Sequence, residues 1–125
     1  MVLVDTSVWI RFMAGRLAHV EDLRSLLSRE NVAGHPLVYG ELLIGDIEDR
    51  VKFLAEYSRI IQATTVHHDE VVRFVRNRQL PGRGIGWIDV NLLASAIVDG
   101  LRLWTADTRL SNIAIELGVA YIPEL

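Results

Sequence analysis

Apolar residues open the chain without alternation, and residues 1–4 read as a short strand buried on both faces. The run stops at Asp5. Thr6 and Ser7 follow, and Val8, Trp9, Ile10 and Phe12 then resume at helical spacing, so any of the three polar residues suits a helix N-cap. A second helix is predicted over residues 20–28, with Val20, Leu23, Leu26 and Leu27 on one face. Residues 31–34 form a weak, short strand. Pro36 suits the first turn of a helix and Gly45 its end. Residues 47–57 read as a helix and residues 59–64 as a strand. Residues 68–80 are helical, with Asp69 and Glu70 near the start and arginines near the end, as the helix dipole prefers.

The stretch Pro-Gly-Arg-Gly-Ile-Gly at 81–86 is a loop. Residues 87–100 form a helix ending at a glycine, with Leu92, Leu93, Ala96 and Ile97 as the expected buried stripe. Residues 102–107 are a strand leading into a helix ended by Gly118, and residues 119–122 are the closing strand. Strands alternate with helices throughout. That pattern predicts one α/β domain over 1–125, a sandwich around a mostly parallel sheet.

Composition narrows the setting. Half the chain is hydrophobic, enough for a real core at 125 residues. No apolar run approaches the roughly 18 residues of a membrane span, and the N-terminus lacks a signal-peptide pattern, so a cytoplasmic protein is expected. The absence of cysteine excludes disulfides, thiolate metal sites and a cysteine nucleophile. A net charge of −3 argues against a general nucleic-acid binder. The only lysine is Lys52, which leaves few options for catalysis by lysine.

Four carboxylates stand where they are hard to place. Asp5 and Asp107 each follow a strand, and the carboxyl ends of parallel strands share one edge where ligands bind. Each could equally be a helix N-cap. Asp89 begins the most apolar helix and has the same alternative. Glu41 lies among Leu37, Val38, Leu42, Leu43 and Ile44, where a charge needs a partner, a cation or a narrow solvated stripe near Arg50. Four carboxylates converging on one edge repel one another, and a divalent cation resolves that repulsion. An all-oxygen donor set suits Mg²⁺ or Mn²⁺ over zinc.

The stretches "VDTSVWI", Glu41 inside its apolar helix, "GIGWIDVNLLASAIVDG" and "LWTADTRL" resemble a PIN-domain ribonuclease, most closely the VapC class of toxin–antitoxin toxins. The resemblance implies a PIN-like three-layer sandwich and a metal-dependent endoribonuclease whose acidic pocket maps onto Asp5, Glu41, Asp89 and Asp107. Asp5 and Asp89 would be direct ligands of Mg²⁺ or Mn²⁺. Glu41 and Asp107 would act through water. Ser7 and Thr105 match hydroxyl positions that fix the carboxylates, although both could be ordinary turn hydroxyls. The resemblance also implies an RNA substrate, a cognate VapB-like antitoxin, a homodimer, and a larger complex that reaches operator DNA through the antitoxin. A PIN fold that only binds RNA or antitoxin is the alternative.

An acidic pocket repels RNA, so positive charge must come from its rim. Arg83 in the glycine-rich loop is favoured over Arg73, Arg76 and Arg78 because it lies nearest Asp89 in sequence. His67 and His68 are adjacent, so their rings diverge and a metal-free two-histidine mechanism is disfavoured. Trp9, Phe12 and Met13 form a bulky cluster beside Asp5, expected to pack in the core, with a partner surface as its second use. A phosphoacceptor receiver domain needs a late lysine, and a haloacid-dehalogenase-type phosphatase needs an acid where Ser7 stands.

Overall fold

The structure, a computed structural model, describes residues 1–123, so the last two residues of the expected 1–125 domain lie outside it. Strand β1 (Val2–Val4) is followed by α1 (Thr6–Met13) and α2 (Val20–Ser28), then β2 (Val32–Ala33). Next come α3 (Pro36–Ile44), α4 (Arg50–Tyr57), α5 (His68–Asn77) and α6 (Trp87–Asp99). Strand β3 (Arg102–Trp104) and α7 (Thr108–Glu116) complete the described order. The three strands are parallel in the order β2-β1-β3. β1 is central and all three of its residues are buried, so helices cover both faces of the sheet. This is the expected α/β sandwich around a parallel sheet.

Two expected strands are reduced to single bridges. Residues 59–64 touch the sheet only where Gln62 pairs with Gly34. Beyond that bridge their hydrogen bonds go to α6: the Thr64 N–H donates to Asp99 Oδ2 at 2.6 Å, and the Thr64 carbonyl accepts from Ser95. Residues 119–122 likewise make one bridge, Ala120 to Leu103. The Val119 N–H is taken by the end of α7, at the Ala114 carbonyl, and Pro123 has no N–H to continue a ladder. Helix α4 also starts later than predicted, because Asp49 sits in the left-handed region at φ +50°.

The middle of α6 is buried on nearly every side, from Val90 to Ala96, including Asn91 and Ser95. Ile97, expected in the buried stripe, is exposed. Trp9 packs in the core as expected, edge-on to Phe12, Phe53 and Tyr57 with ring centroids 5.5–6.2 Å away. It is therefore not available as a partner surface.

A buried polar network that sequence reasoning did not single out fixes the start of α3. His35 is its N-cap, and the ring Nδ1 accepts the Leu37 N–H at 3.0 Å. Nε2 therefore carries the proton and donates to Ser95 Oγ at 3.0 Å, while Ser95 donates to the Thr64 carbonyl at 2.6 Å. The His35 N–H donates to the Tyr57 hydroxyl at 2.8 Å, and burial pushes the Tyr57 hydroxyl pKa up, so it stays a phenol. Four segments thus meet around His35, through its ring, its backbone N–H and the Ser95 hydroxyl.

Burial holds the His35 pKa below its ordinary value. Between about pH 6.5, the unfolded value, and the lower folded value, the unfolded chain binds a proton that the folded protein refuses. Stability should be full above about pH 6.5 and fall as the pH drops through that window. Urea melts at a series of pH values should show that loss. His35→Asn should flatten it while lowering stability at pH 7.5 by about 1–3 kcal/mol, through the Ser95 hydroxyl left without its His35 donor. A variant that keeps the wild-type slope would remove His35 from this role.

Candidate active site

Asp5 ends the central strand and stands at the N-cap of α1, yet its side chain makes no capping bond. Only its carbonyl caps, accepting the Val8 and Trp9 N–H groups. Its carboxylate is 5% exposed, and Oδ2 accepts the Ser7 hydroxyl at 2.7 Å and the Thr105 hydroxyl at 2.8 Å. Those hydroxyls are themselves held, Ser7 Oγ by the Ala106 N–H and Thr105 Oγ1 by the Asp107 N–H, each at 3.0 Å. The backbone adds one bond, from the Asp5 N–H to the Trp104 carbonyl. The end of β1, the first turn of α1 and the exit of β3 are therefore stitched together through Asp5 Oδ2.

Glu41 projects from α3 toward the same corner. Its Oε1 accepts the hydroxyl of buried Thr6 at 2.6 Å. Thr6 was visible in the sequence only as a possible cap; its place beside Asp5 was the signal, and no spacing rule links it to position 41. The alternative partner for Glu41 is absent, since Arg50 donates to the Gly45 carbonyl at 2.7 Å. Asp89 is the third residue of α6, and its Oδ2 accepts the Gly86 N–H at 2.9 Å. Gly86 has no side chain to return the bond, so only half of a capping box exists. Asp107 is a true N-cap, its Oδ1 accepting the Leu110 N–H at 3.0 Å.

The four acids share one electrostatic environment. The Asp89 carboxyl is raised above the usual carboxylate range, first by burial and then by the charges of Asp5, Asp107 and Glu41, against the lowering pull of the Gly86 N–H. Among the described residues no cation pairs with any of the four. In each, one oxygen is held by a protein donor and the other accepts no hydrogen bond from a described residue. No three acid or histidine side chains among the described residues already surround a common point at metal-binding distance. The donor set itself is hard oxygen throughout, which fits Mg²⁺ or Mn²⁺.

Arg83 is committed elsewhere, paired with Glu116 on α7 at 2.8 Å. Arg109, two residues after Asp107, is exposed and has no ion-pair partner among the described residues. Its side chain lies over Gly84, so close that a Cβ there would stand 2.7 Å from Arg109 Cδ. Asn91 spends its amide on the Trp87 carbonyl. His68 packs against the Trp87 ring and does not pair with His67.

Comparison with known proteins gives one consistent picture. The family model described as "PIN domain" matches residues 2–116. The chain is 44% identical over 126 residues to Ribonuclease VapC32 of Mycobacterium tuberculosis, from both the CDC 1551 / Oshkosh and the H37Rv strains, covering 100% of this chain and 99% of theirs. The crystal structure of PAE2754 from Pyrobaculum aerophilum is similar over 94% of both chains, with a TM-score of 0.58 at 20% identity, a likeness of fold.

The stitching through Asp5 sets a stability test. Ser7→Ala strips Asp5 of one donor and leaves the Ala106 N–H unpaired, and Thr105→Ala does the same to the Asp107 N–H. Each should destabilise by about 1–3 kcal/mol in urea melts. The double variant should lose less than the sum, because both hydroxyls serve one oxygen. Neutral single variants would show that the bonds hold nothing in place.

Proposed function

The chain belongs to the PIN-domain family, and on that premise we propose that it is a metal-dependent endoribonuclease, the toxin of a VapBC-type toxin–antitoxin module. The observation that carries the reading is the state of the four carboxylates. Each is anchored by one oxygen and, among the described residues, uncommitted at the other and without a paired cation. Such a cluster is self-repelling: the Asp89 carboxyl is raised by burial first and by Asp5, Asp107 and Glu41 after it, and a divalent ion relieves the repulsion. When bound, Mg²⁺ or Mn²⁺ supplies a water acidic enough to attack a phosphodiester near neutral pH, and positive charge for the phosphate oxygens.

The chain's own residues have distinct tasks in this reading. Asp5 and Asp89 offer their uncommitted oxygens to the ion. Glu41 and Asp107 act through water and orient the attacking molecule. Ser7 and Thr105 keep the buried Asp5 carboxylate from turning, so the rigid end of the central strand sets the position of the site. Glu41 and Asp89 are half-buried and Asp107 exposed, so these three are free to rotate inward around a fixed Asp5. RNA is the substrate, in the cytoplasm. A VapB-like antitoxin is the protein partner, a homodimer the working assembly, and operator DNA is reached through the antitoxin. Exposed Leu43, Ile44 and Val51, at the end of α3 and the start of α4, give assembly an apolar surface.

The substitution Asp5→Asn tests the reading. Asn keeps an oxygen for the two hydroxyls and caps about as well as Asp. The apo melting temperature should hold or rise slightly as repulsion is relieved. Mn²⁺ binding by calorimetry and cleavage of total RNA should both fall sharply. Unchanged Mn²⁺ affinity in the variant would leave the Asp5 side chain only the structural role of joining Ser7 to Thr105. A wild-type protein that ignores Mn²⁺ and leaves RNA intact would be a binding module of the same fold.

The rim charge is separable from the acids. Arg109→Ala should raise KM for RNA several-fold at low salt with little change in kcat, and the defect should shrink as salt rises. Gly84→Ala should reproduce part of it, since φ is +84° and the new methyl displaces Arg109. Arg83→Ala, which breaks only the Glu116 pair, should cost less. A larger effect at Arg83 would reverse the assignment.

A further inference from the structure

Three tryptophans are present, and two are core residues: Trp9 is 3% exposed and Trp104 is 4%. Trp87 is 47% exposed, although an indole gains more from burial than almost any other side chain. It is also the first residue of α6, two positions before Asp89. The peptide that carries it is fixed at both ends. Asp89 holds the Gly86 N–H at 2.9 Å, and Asn91 holds the Trp87 carbonyl at 2.9 Å. The His68 ring from α5 braces the indole at 5.2 Å between centroids, inclined by 51°. The indole also borders a groove of about 150 Å³, whose walls include Pro81, Gly82, Ile85 and Gly86.

We propose that Trp87 is a stacking platform for a nucleobase of single-stranded RNA, seated in this groove beside the acid cluster. The inference rests on the nuclease reading above and names how its substrate is gripped. A cluster of four carboxylates on a chain of net charge −3 cannot draw in a polyanion by its own field. A neutral π face holds a base without cancelling the acids, and stacking on exposed aromatics is how unpaired bases are generally recognised. Trp87 and Asp89, two residues apart, leave the first turn of α6 on different sides. The stacked base therefore belongs to a neighbour of the nucleotide that is cut, with the strand crossing the helix start. Arg109, over Gly84 in the same loop, meets a phosphate along that path.

The test uses short labelled RNAs carrying a cleavage site mapped in total RNA. Trp87→Ala should raise KM by roughly five- to a hundred-fold, the range expected for one lost base stack, with kcat within a few-fold. Trp87→Phe should recover most of the loss. A single abasic position near the cut should impose the same KM penalty on wild type, and Trp87→Ala should show no further penalty there. In the Asp5→Asn background, RNA should protect the one exposed tryptophan from acrylamide quenching. If wild type cleaves RNA but Trp87→Ala keeps KM within twofold, or RNA leaves quenching unchanged, the platform is refuted and the nuclease stands. If Trp87→Ala does not fold, the abasic series on wild type decides, and equal KM at every position refutes stacking. If wild type cleaves no RNA, both readings fall together.

Discussion

The carboxylate of Asp5 is buried between two hydroxyls, and much of the structure answers to that contact. A charged group this deep is tolerable only if its hydrogen bonds are supplied, and the suppliers come from far apart in the chain: Ser7 from the first turn of α1, Thr105 from beyond β3. Their own oxygens are occupied by the Ala106 and Asp107 N–H groups. The loop that presents Asp107 is thereby shaped by the residue it must stand beside. Thr6, next in the chain, performs the same service for Glu41. The Asp-Thr-Ser triplet is thus one acid and two clamps, each clamp reaching a different element.

This explains what could be read in advance. The apolar run at residues 2–4, and Leu103 and Trp104 after exposed Arg102, read as buried strand segments, and Asp5 and Asp107 follow from their ends. Gly100 and Gly118 mark helix ends because both take positive φ. Residues 59–64 and 119–122 have strand composition, yet many of their backbone groups are claimed by α4, α6 and α7, and Pro123 offers no N–H. Competition of that kind is tertiary and leaves no local trace. His35 escaped for a related reason: a lone histidine before a proline carries no pattern, and its importance comes from Tyr57 and Ser95, both distant in sequence. Arg83 is nearest to Asp89 along the chain, but Glu116 has it, and Arg109, which lies over the same loop and has no ion-pair partner among the described residues, enters from α7.

The acids themselves answer the ambiguity between cap and ligand in different ways. Asp107 caps α7 with one oxygen and keeps the other; Asp89 restrains Gly86 in the same fashion; Asp5 caps with its carbonyl alone. A capping bond and an open oxygen coexist on one carboxylate, because the group has two oxygens and the helix needs only one. Helix starts therefore give the fold a way to aim acids while keeping part of each in reserve.

The parallel sheet also has a consequence in time. β1 is made well before β3, and Asp5 is completed by Thr105, 100 positions later. At the roughly 5–20 residues per second of synthesis, those 100 positions take about 5–20 s to appear. Until then the first acid has only the Ser7 hydroxyl, and the fourth acid does not exist. A chain cut short just before β3 carries most of the core yet lacks Thr105 and Asp107. The topology thus withholds the complete acid cluster until nearly all of the described fold has been made.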